Sequence, residues 1–340
     1  MIPKKRVFLV DFDNTLFDTE KLKQEIENRL VKQFWQTYED VIKTDGYNNV
    51  PKIAETFNKK VIEDIFYKAN FKKCLLPNSL ATLKNLQKLG DVKIYSLGHL
   101  NYQAIKIKGS GVTKLVGQKN VIIEENKNLE IFHEFLKNYS QIIFIDDRSE
   151  YLEKAKEIDP KIITVWLRYG KYKDVSPKNP EAINFEIYSI SEIVLFNKNI
   201  TNSQIDQLIK FTKADSEVQK FTHDLERFAN HESYKNWIKN KKYIYTLTDN
   251  KNNLLGIIWF SKKQIPQAPD YPYTFAIRVY PPARGKGFAK SFMKMALKDF
   301  DKKKIWLATT NPKAIKIYKD LGFKEIGKHE EEILMVFENR

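Results

Sequence analysis

The apolar positions in the first half of the chain form short continuous runs that alternate with amphipathic stretches. Four runs predict buried strands, at residues 6–12 (RVFLVDF), 92–98 (VKIYSLG), 141–147 (QIIFIDD) and 161–167 (KIITVWL). Residues 76–90, 128–140 and 150–158 have the apolar spacing of helices. Continuously apolar strands that alternate with helices are typical of a parallel sheet covered on both faces. The first half therefore predicts an α/β domain with a parallel sheet.

A long helical stretch interrupts this alternation directly after the first strand. Its amphipathic pattern runs from about residue 18 to about residue 69. Because an insert of this length does not fit the strand–helix rhythm, we expect it to form a helical cap on the sheet, at about residues 17–78.

The pattern changes after a polar stretch at residues 196–204. Strands are predicted at residues 242–249, 254–263, 273–280, 303–310 and 331–338. Helices are predicted from Gly285 to about Phe300 and at residues 311–322. Strands in succession, followed by a mixture of helices and strands, indicate a separate α+β domain. We therefore place one domain at residues 1–197 and a second at 199–340.

Charge and cysteine content narrow the class of protein. The formal net charge is +15, which would suit nucleic acid, but the lysines form no single basic block or stripe. We favour a solvated surface and small anionic ligands, such as phosphate esters and coenzyme A. Cys74 is the only cysteine, and no apolar run approaches membrane-spanning length. The first run also reaches Asp11 before a signal-peptide core could form, so we expect a cytoplasmic protein with no membrane partner.

Two of the predicted strands end in pairs of aspartates. Asp11 and Asp13 follow the first strand, and Asp146 and Asp147 end the strand at residues 141–147. Ligands of a parallel sheet bind beyond the carboxyl ends of its strands, so these side chains should converge there. Carboxylates that converge cannot all remain ionised without a cation. A divalent ion with oxygen ligands, such as Mg²⁺, would satisfy them.

Hydrogen-bond donors accompany this acidic group. Ser96 ends the strand at residues 92–98 and is followed by Gly98, which predicts a hydroxyl and accessible backbone N–H groups at the same edge. Lys127 lies near the start of a predicted helix, and Lys119 is an alternative nearby. Hydroxyl, N–H and ammonium donors together favour the binding of a phosphate group.

These motifs, in this order, resemble those of haloacid dehalogenase-like (HAD) phosphatases over about residues 4–195. They are the DxDxT sequence at residues 11–15, Ser96, Lys127 and the paired acids at 146–147. The resemblance implies a Rossmann-like sheet with a small helical cap. It also implies that Asp11 attacks phosphorus, whereas Asp13 first protonates the leaving alcohol and then activates water.

The same resemblance implies how the metal and the phosphate are held. Mg²⁺ would be bound by Asp11, by the carbonyl oxygen of Asp13 and by Asp146, with Asp147 in the same acidic group. Ser96 and Lys127 would steady the transferring phosphoryl group.

A glycine-containing loop precedes a predicted helix in the second domain. Arg284, Gly287 and Ala289 fit the pattern R-x-x-G-x-G/A, and the helix start offers unpaired N–H donors to a pyrophosphate. The later segment NPKAIKIYKDLGF, residues 311–323, contains Asn311, Ala314 and Tyr318.

The loop and this segment together resemble the GNAT acetyltransferase superfamily, over about residues 199–340. The resemblance implies acetyl-CoA as cosubstrate, with its pantetheine arm against the strand FAIRVY at residues 275–280. Tyr318 would protonate the leaving thiolate of coenzyme A. The cofactor-binding residues would be Arg284, Gly285, Lys286, Gly287, Phe288, Ala289 and Asn311.

The general base of the acetyl transfer is left open by the sequence. Glu217, Asp224, Glu226 and Glu232 are candidates, and a chain of waters is an alternative. The histidines are scattered, show no metal-binding spacing and are expected to be structural or exposed; they are His99, His133, His223, His231 and His329.

These observations predict a bifunctional enzyme, an Mg²⁺-dependent phosphatase joined to an N-acetyltransferase. Its partners would be acetyl-CoA and a small phosphorylated amine, such as an amino-sugar phosphate, on which both domains act. One alternative resembles FkbH-like proteins, which load a three-carbon unit onto an acyl carrier protein, but the helical insert argues against it. A second alternative is a binding or regulatory protein with one catalytically silent domain, which the intact motifs of both halves disfavour.

Overall fold

The computed structural model of the chain divides into two compact units, Met1–Ile193 and Val194–Arg340. It describes residues 6–27, 39–41, 43–45, 49–56, 59–240, 242–302 and 304–338. The predicted boundary between residues 197 and 199 lies a few residues earlier in the structure. The reason is that Val194–Asn197 forms a strand that pairs within the second sheet.

A six-stranded parallel sheet forms the centre of the first unit, in the order β3-β2-β1-β4-β5-β6. Its strands are β1 (Arg6–Val10), β2 (Asp91–Leu97), β3 (Val121–Glu124), β4 (Gln141–Asp146), β5 (Ile163–Leu167) and β6 (Phe185–Ile187). The first strand therefore lies between β2 and β4, where the strand order reverses and where open α/β sheets bind their ligands. The predicted α/β fold is confirmed, and only the short strands β3 and β6 lack a predicted counterpart.

Helices lie between the strands of this sheet. They are α1 (Thr19–Glu27), α2 (Val50–Thr56), α3 (Lys59–Tyr67), α4 (Ser79–Gln87), α5 (Leu100–Gly109), α6 (Val112–Val116), α7 (Ile131–Asn138) and α8 (Ser149–Ile158). The helices predicted at 76–90, 128–140 and 150–158 are present as α4, α7 and α8. The helix α5 was not predicted, because its buried face contains the polar residues Gln103 and Lys106 and so lacks a plain apolar stripe.

The predicted cap contains α1, α2, α3 and the 3₁₀ turn Phe71–Cys74. The rest of the helical stretch predicted at residues 18–69 lies partly outside the described residues. At the base of the cap, the ring of Phe17 stacks on that of Phe12, with a centroid distance of 4.9 Å. Cys74, the single cysteine, is buried in the same region.

The second unit is built on a seven-stranded mixed sheet, in the order β12-β13-β11-β10-β9-β8-β7. Its strands are β7 (Val194–Asn197), β8 (Lys242–Asp249), β9 (Leu254–Lys262), β10 (Tyr273–Val279), β11 (Lys304–Thr309), β12 (Lys324–His329) and β13 (Glu332–Glu338). Strands predicted at 242–249, 254–263, 273–280, 303–310 and 331–338 are therefore present. The strand β12 was not predicted, because five of its six residues are exposed and it lacks apolar alternation.

Two neighbouring strands of this sheet separate from each other. β10 and β11 are parallel and pair only at Tyr273–Ile305 and Thr274–Trp306, although they extend to Val279 and Thr309. The backbone of β10 that faces β11 beyond these pairs is therefore free to bind a ligand.

The described residues of the second unit also form six helices. They are α9 (Asn202–Ala214), α10 (Ser216–Phe221), α11 (Asp224–Arg227), α12 (His231–Ile238), α13 (Phe288–Asp299) and α14 (Pro312–Asp320). The first four were not predicted; residues of α9, α10 and α12, together with Phe228 after α11, pack with Ile257 and Trp259 of the sheet. The predicted helices near residues 285–300 and 311–322 are present as α13 and α14. Across the described ranges, no helix combines the length and the apolar content that crossing a membrane requires.

Candidate active sites

Of the four aspartates predicted to converge at the carboxyl edge of the first sheet, three form one cluster. Asp11 follows β1, Asp146 ends β4, and Asp147 follows it; each contributes an oxygen, and these oxygens lie within 4.8 Å of one another. The backbone N–H of Asp11 donates to the carbonyl oxygen of Ile145 at 2.9 Å, which fixes the ends of the two strands side by side. All three side chains are buried.

Lys127 provides one positive charge to this group. Its Nζ lies 3.0 Å from Asp11 Oδ1 and 2.7 Å from Asp146 Oδ2, and the side chain is almost fully buried. Burial alone would lower the pKa of Lys127, but the two carboxylates outweigh it and raise the pKa above its usual value. Of the two lysines left open by the sequence, Lys127 is therefore the one at this site; Lys119 lines a different cavity, with Lys93 and Asn120.

One ammonium does not satisfy three buried carboxylates. Burial raises the pKa of Asp11 to about 7, with Lys127 opposing the shift and the charges of Asp146 and Asp13 adding to it. Burial and the charges of Asp11 and Asp146 also raise the pKa of Asp147 well above its usual value. Asp147 Oδ2 is buried and has no hydrogen-bond partner within the described part of the chain. A divalent cation bound by oxygen ligands fits this donor set.

The carboxylate of Asp13 has hydrogen-bond donors of its own. Lys106 Nζ donates to Asp13 Oδ1 at 2.6 Å, and Gln103 Nε2 donates to Asp13 Oδ2 at 2.8 Å. Gln103 Nε2 also lies 2.7 Å from Ser96 Oγ, so one amide joins Ser96 to Asp13. Both donors lie on α5, which was not predicted from the sequence. The helical spacing of these two residues, which places them on one face with Tyr102 and Ile107, could have indicated this helix.

The predicted donors beyond β2 are arranged differently from the expectation. The N–H of Gly98 donates to the carbonyl oxygen of Glu124 at 2.9 Å, so it is not the accessible donor that the sequence predicted. The side chain of Ser96 is fully buried, and its hydroxyl contacts Gln103. Its predicted role in binding phosphate stays a prediction.

A cavity of about 180 Å³ opens above these residues. It reaches Asp11, Asp13, Asp146 and Asp147 on the sheet and Thr19, Glu20 and Lys23 of α1 on the cap. Arg148, Lys171 and His99 add positive or titratable groups to the wall. The wall of this cavity therefore combines carboxylates of the sheet with side chains of the cap.

The opening between β10 and β11 in the second unit leads into a larger cavity of about 750 Å³. It is lined by Ile277 to Val279 of β10, by the loop before α13 and by the start of α14. Six of the predicted cofactor-binding residues lie on this wall, and they are Arg284, Gly285, Gly287, Phe288, Ala289 and Asn311. Lys286 is exposed between them and does not line the cavity.

The two glycines of the loop have a backbone conformation that favours glycine. Gly285 and Gly287 both have φ of +75°, and Gly287 is the N-cap residue of α13. A Cβ atom added at either position would meet no heavy atom within 4 Å, so the strain would be conformational. Gly287 gives α13 no side-chain cap, and the first residues of this helix line the cavity, which is an arrangement that suits an anion.

Residues 206–323 match the model of the acetyltransferase (GNAT) family. The second unit contains a GNAT domain. The predicted acetyltransferase resemblance is thus confirmed for this part of the chain. A comparison of the chain with curated proteins found no match.

Solved structures similar to this chain include both predicted kinds of protein. A protein from Burkholderia xenovorans LB400, described as a haloacid dehalogenase-like hydrolase, is 22% identical, with a TM-score of 0.48, over 55% of this chain and 96% of its own. A spermidine N-acetyltransferase chimera from Vibrio cholerae and hSSAT is 22% identical, with a TM-score of 0.34, over 43% and 95%. The spermidine N-acetyltransferase from Vibrio cholerae in complex with CoA and spermine is 17% identical, with a TM-score of 0.33, over 42% and 92%.

Within the GNAT domain, the side chains of Arg284 and Asn311 have structural partners. Arg284 Nη1 lies 3.0 Å from Asp215 Oδ1 and 3.3 Å from Glu217 Oε2. Asn311 Oδ1 accepts a hydrogen bond from the backbone N–H of Lys313 at 3.0 Å and so caps α14. Because both side chains already have partners within the protein, a ligand in the cavity would mainly contact backbone atoms of these two residues.

Tyr318 lies where two cavities of the GNAT domain meet. It lines the 750 Å³ cavity and a second cavity of about 590 Å³ on the other side of the opening between β10 and β11. Burial raises the pKa of Tyr318 to about 12, and the nearby charge of Arg278 only partly opposes this. The hydroxyl is therefore protonated at neutral pH and able to donate a proton.

None of the four predicted general-base candidates lies in the 590 Å³ cavity. Asp224 is buried in ion pairs with Arg278 and Arg227, and Glu217 lines the other cavity. Glu226 and Glu232 are exposed. The acidic and histidine side chains that do line the 590 Å³ cavity are His223, His329, Glu330 and Glu332. Among the residues that the structure describes, His329 Nδ1 is buried and has no hydrogen-bond partner.

Proposed function

We propose that the chain is a bifunctional enzyme, an Mg²⁺-dependent phosphomonoester hydrolase and an acetyl-CoA-dependent N-acetyltransferase. The first activity is supported by one observation: the carboxylates at one edge of the sheet have two different surroundings. Asp11, Asp146 and Asp147 form a buried acidic cluster, whereas Asp13 is held beside them by Lys106 and Gln103. A nucleophile and an acid–base group need this difference in surroundings.

The phosphatase reaction follows from these positions. A carboxylate oxygen of Asp11 attacks phosphorus, the bond from phosphorus to the ester oxygen breaks, and Asp13 gives its proton to the departing alcohol. Water then attacks the phosphorus of the aspartyl-phosphate while Asp13 accepts its proton, which releases phosphate and restores Asp11. Lys127 keeps Asp11 and Asp146 in place at 3.0 Å and 2.7 Å.

A divalent cation fits the acidic cluster, and Asp11, Asp146 and Asp147 would hold it. When bound, it would keep Asp11 ionised and neutralise the oxygens of the phosphoryl group. The raised pKa of Asp11, about 7 in the metal-free cluster, supports the need for such a charge.

The acetyltransferase reaction uses the opening between β10 and β11. Acetyl-CoA would lie in the 750 Å³ cavity with its pyrophosphate at the start of α13, and the acceptor amine would enter from the 590 Å³ cavity. The amine nitrogen attacks the thioester carbon, the carbon–sulfur bond breaks, and Tyr318 donates its proton to the thiolate. His329, which lines the 590 Å³ cavity, would accept the proton of the amine, directly or through water.

We further propose that both domains act on one small phosphorylated amine, such as an amino-sugar phosphate. Fusion guarantees equal amounts of both activities and raises the local concentration of a shared intermediate. The small volume above Asp11 and the cap residues Thr19, Glu20 and Lys23 support selection by the group that carries the phosphate.

The assignment is tested on the full chain with two separate knockouts. Asp11→Asn should abolish Mg²⁺-dependent phosphate release and leave acetyl transfer unchanged, because an amide cannot attack phosphorus. Tyr318→Phe should reduce acetyl transfer and leave phosphate release unchanged. Phosphate release that persists in Asp11→Asn, or after removal of the metal, would contradict the phosphatase assignment.

A further inference from the structure

Two arginines of the second unit share a single carboxylate, and a lysine lies near one of them. Arg278 Nη2 lies 3.0 Å and Arg227 Nη1 lies 3.1 Å from the same oxygen of Asp224, whose side chain is fully buried. Lys242 lies close enough to Arg227 for the two charges to interact. Within the described ranges, Lys242 contacts no carboxylate; its Nζ donates to Ser261 Oγ at 3.0 Å. The cluster of Arg227, Lys242 and Arg278 with Asp224 thus has a net charge of about +2.

Two tryptophans hold this cluster in a fixed position. The guanidinium of Arg278 lies 5.0 Å from the ring centroid of Trp259, and the ammonium of Lys242 lies 5.0 Å from that of Trp237. The two rings contact each other edge to face, with centroids 5.4 Å apart. Cation–π contacts orient a cation without neutralising it, so the positive charge remains available to an anion.

The three cationic side chains of the cluster line one cavity. Arg227, Lys242 and Arg278 line the 590 Å³ cavity together with Trp237 and Trp259. Burial and the charge of Arg227 lower the pKa of Lys242, which is the effect expected where positive charges lack compensation. The acidic residues on the wall of this cavity, Glu330 and Glu332, belong to the β12–β13 hairpin, on the opposite side of the opening between β10 and β11.

We propose that Arg227, Lys242 and Arg278 form an anion-binding subsite in the acceptor cavity that recognises the phosphate group of the amine to be acetylated. A phosphate monoester carries up to two negative charges at neutral pH, which matches the net charge of the cluster, whereas a carboxylate carries one. The subsite deepens the proposed function, because it names the residues by which the acetyltransferase would recognise the same phosphate that the other domain removes. It also sets the order of reactions, with acetylation before dephosphorylation.

Three acceptor amines test which terminal group the subsite prefers. They are phosphoethanolamine, β-alanine and ethanolamine, which end in a phosphate, a carboxylate and a hydroxyl. The measurement is kcat/KM of acetyl transfer by the full chain with Asp11→Asn, so that the phosphatase domain does not consume the phosphate ester. The expected order is phosphoethanolamine above β-alanine above ethanolamine.

Substitutions in the cluster then test whether it causes the preference among these acceptors. Lys242→Gln and Arg227→Gln should each lower kcat/KM for phosphoethanolamine by about tenfold or more, the usual loss for a charge-assisted hydrogen bond, and change that for ethanolamine by less than about threefold. Arg227→Gln leaves Asp224 paired with Arg278, which preserves the buried ion pair. Lys263→Gln is the matched control, because Lys263 lines the same cavity but lies against Trp306 on β11.

Binding of phosphoethanolamine, measured by calorimetry in the same Asp11→Asn chain, tests the subsite independently of turnover. The phosphatase pocket contributes equally to every variant, so the double variant Arg227→Gln/Lys242→Gln should lose one binding event. Equal binding by the parent and the double variant would overturn the subsite. Transfer to all three acceptors at similar rates would also overturn it while leaving the acetyltransferase assignment intact, and absence of acetyl-CoA binding would count against the proposed function itself.

Discussion

The ammonium of Lys106 lies 2.6 Å from the carboxylate of Asp13, and only 2% of the lysine side chain is exposed. Its Nζ also lies 5.2 Å from the ring centroid of Phe17 and 5.7 Å from that of Phe12. The ammonium therefore lies between the carboxylate of Asp13 and the aromatic rings of Phe12 and Phe17. This contact fixes the direction in which Asp13 presents its carboxylate to the cavity.

We expect Lys106→Met to slow phosphate release strongly. Methionine keeps the buried length but loses the ammonium, so the carboxylate of Asp13 keeps only Gln103 and becomes free to turn; misplacement of a catalytic group costs about 100-fold in rate. Steady-state kinetics should show a fall in kcat with little change in KM. Lys108→Gln, an exposed position on the same helix, is the control and should behave as the wild type. A normal rate in Lys106→Met would show that Asp13 needs no such support.

Mg²⁺ should stabilise the first unit directly, because it would bind three buried carboxylates that one lysine leaves incompletely neutralised. At a concentration about 100 times Kd, thermal unfolding should shift upward by about 5–10 °C. Asp147→Asn removes one of the like charges, so this variant should start at a higher Tm without metal and show a smaller shift with it.

Asp174→Asn, at an exposed position away from the cluster, is the control for the metal experiment and should shift as the wild type does. Calorimetric scans of the metal-free and Mg²⁺-loaded chains give both quantities. Equal shifts in Asp147→Asn and the wild type would remove Asp147 from the metal site.

Gly287→Ala should destabilise the GNAT domain by about 1–2 kcal/mol, because alanine is strained at φ of +75°. Gly322→Ala, at φ of +94° and outside the 750 Å³ cavity, is the matched control. Denaturant unfolding should show a similar loss in both variants. Calorimetry should show weaker coenzyme A binding in Gly287→Ala and still weaker binding in Gly287→Glu. Binding should be unchanged in Gly322→Ala. Unchanged binding in Gly287→Glu would argue against the pyrophosphate site.

Tyr318→Phe should lower kcat of acetyl transfer without weakening acetyl-CoA binding. Because burial raises the pKa of Tyr318 to about 12, the hydroxyl remains protonated throughout pH 7 to 9.5. The ratio of wild-type to variant kcat should therefore be constant over this range, since the proton would be lost only as the pH approaches 12. A ratio that falls towards one by pH 9 would mean that the hydroxyl titrates earlier and has another role.

The phosphatase domain should prefer the acetylated phosphate if the two reactions are sequential. In the full chain without acetyl-CoA, kcat/KM for phosphate release should be higher for N-acetylglucosamine 6-phosphate than for glucosamine 6-phosphate. The cap residues Thr19, Glu20 and Lys23 are placed to contact the part of the substrate that differs. A panel of amine phosphates and their N-acetyl forms that shows no preference would contradict the shared pathway and leave both domain assignments in place.

The sequence by itself determined both kinds of domain and most of their strands. Apolar runs such as residues 7–10 predict buried strands locally, and every side chain of that run is fully buried. The aspartates after β1 and β4 could be predicted to meet, because parallel strands bring their carboxyl ends to one edge. The glycine loop before α13 was recognisable for a similar reason, since its conformation depends on consecutive residues.

Only the tertiary structure decided which distant polar groups meet. Gln103 and Lys106 reach Asp13 from a helix whose buried face is partly polar, so their burial is a consequence of packing and leaves no apolar stripe in the sequence. The N–H of Gly98 donates to the carbonyl oxygen of Glu124 because β3 pairs with β2. No local sequence pattern encodes this contact between separate segments. Arg227 and Arg278 come from a helix and a strand and pair with Asp224, and Lys242 of a second strand lines the same cavity, only when the sheet is formed. Local patterns set the elements, whereas the partners of buried charges depend on packing between residues far apart in the chain.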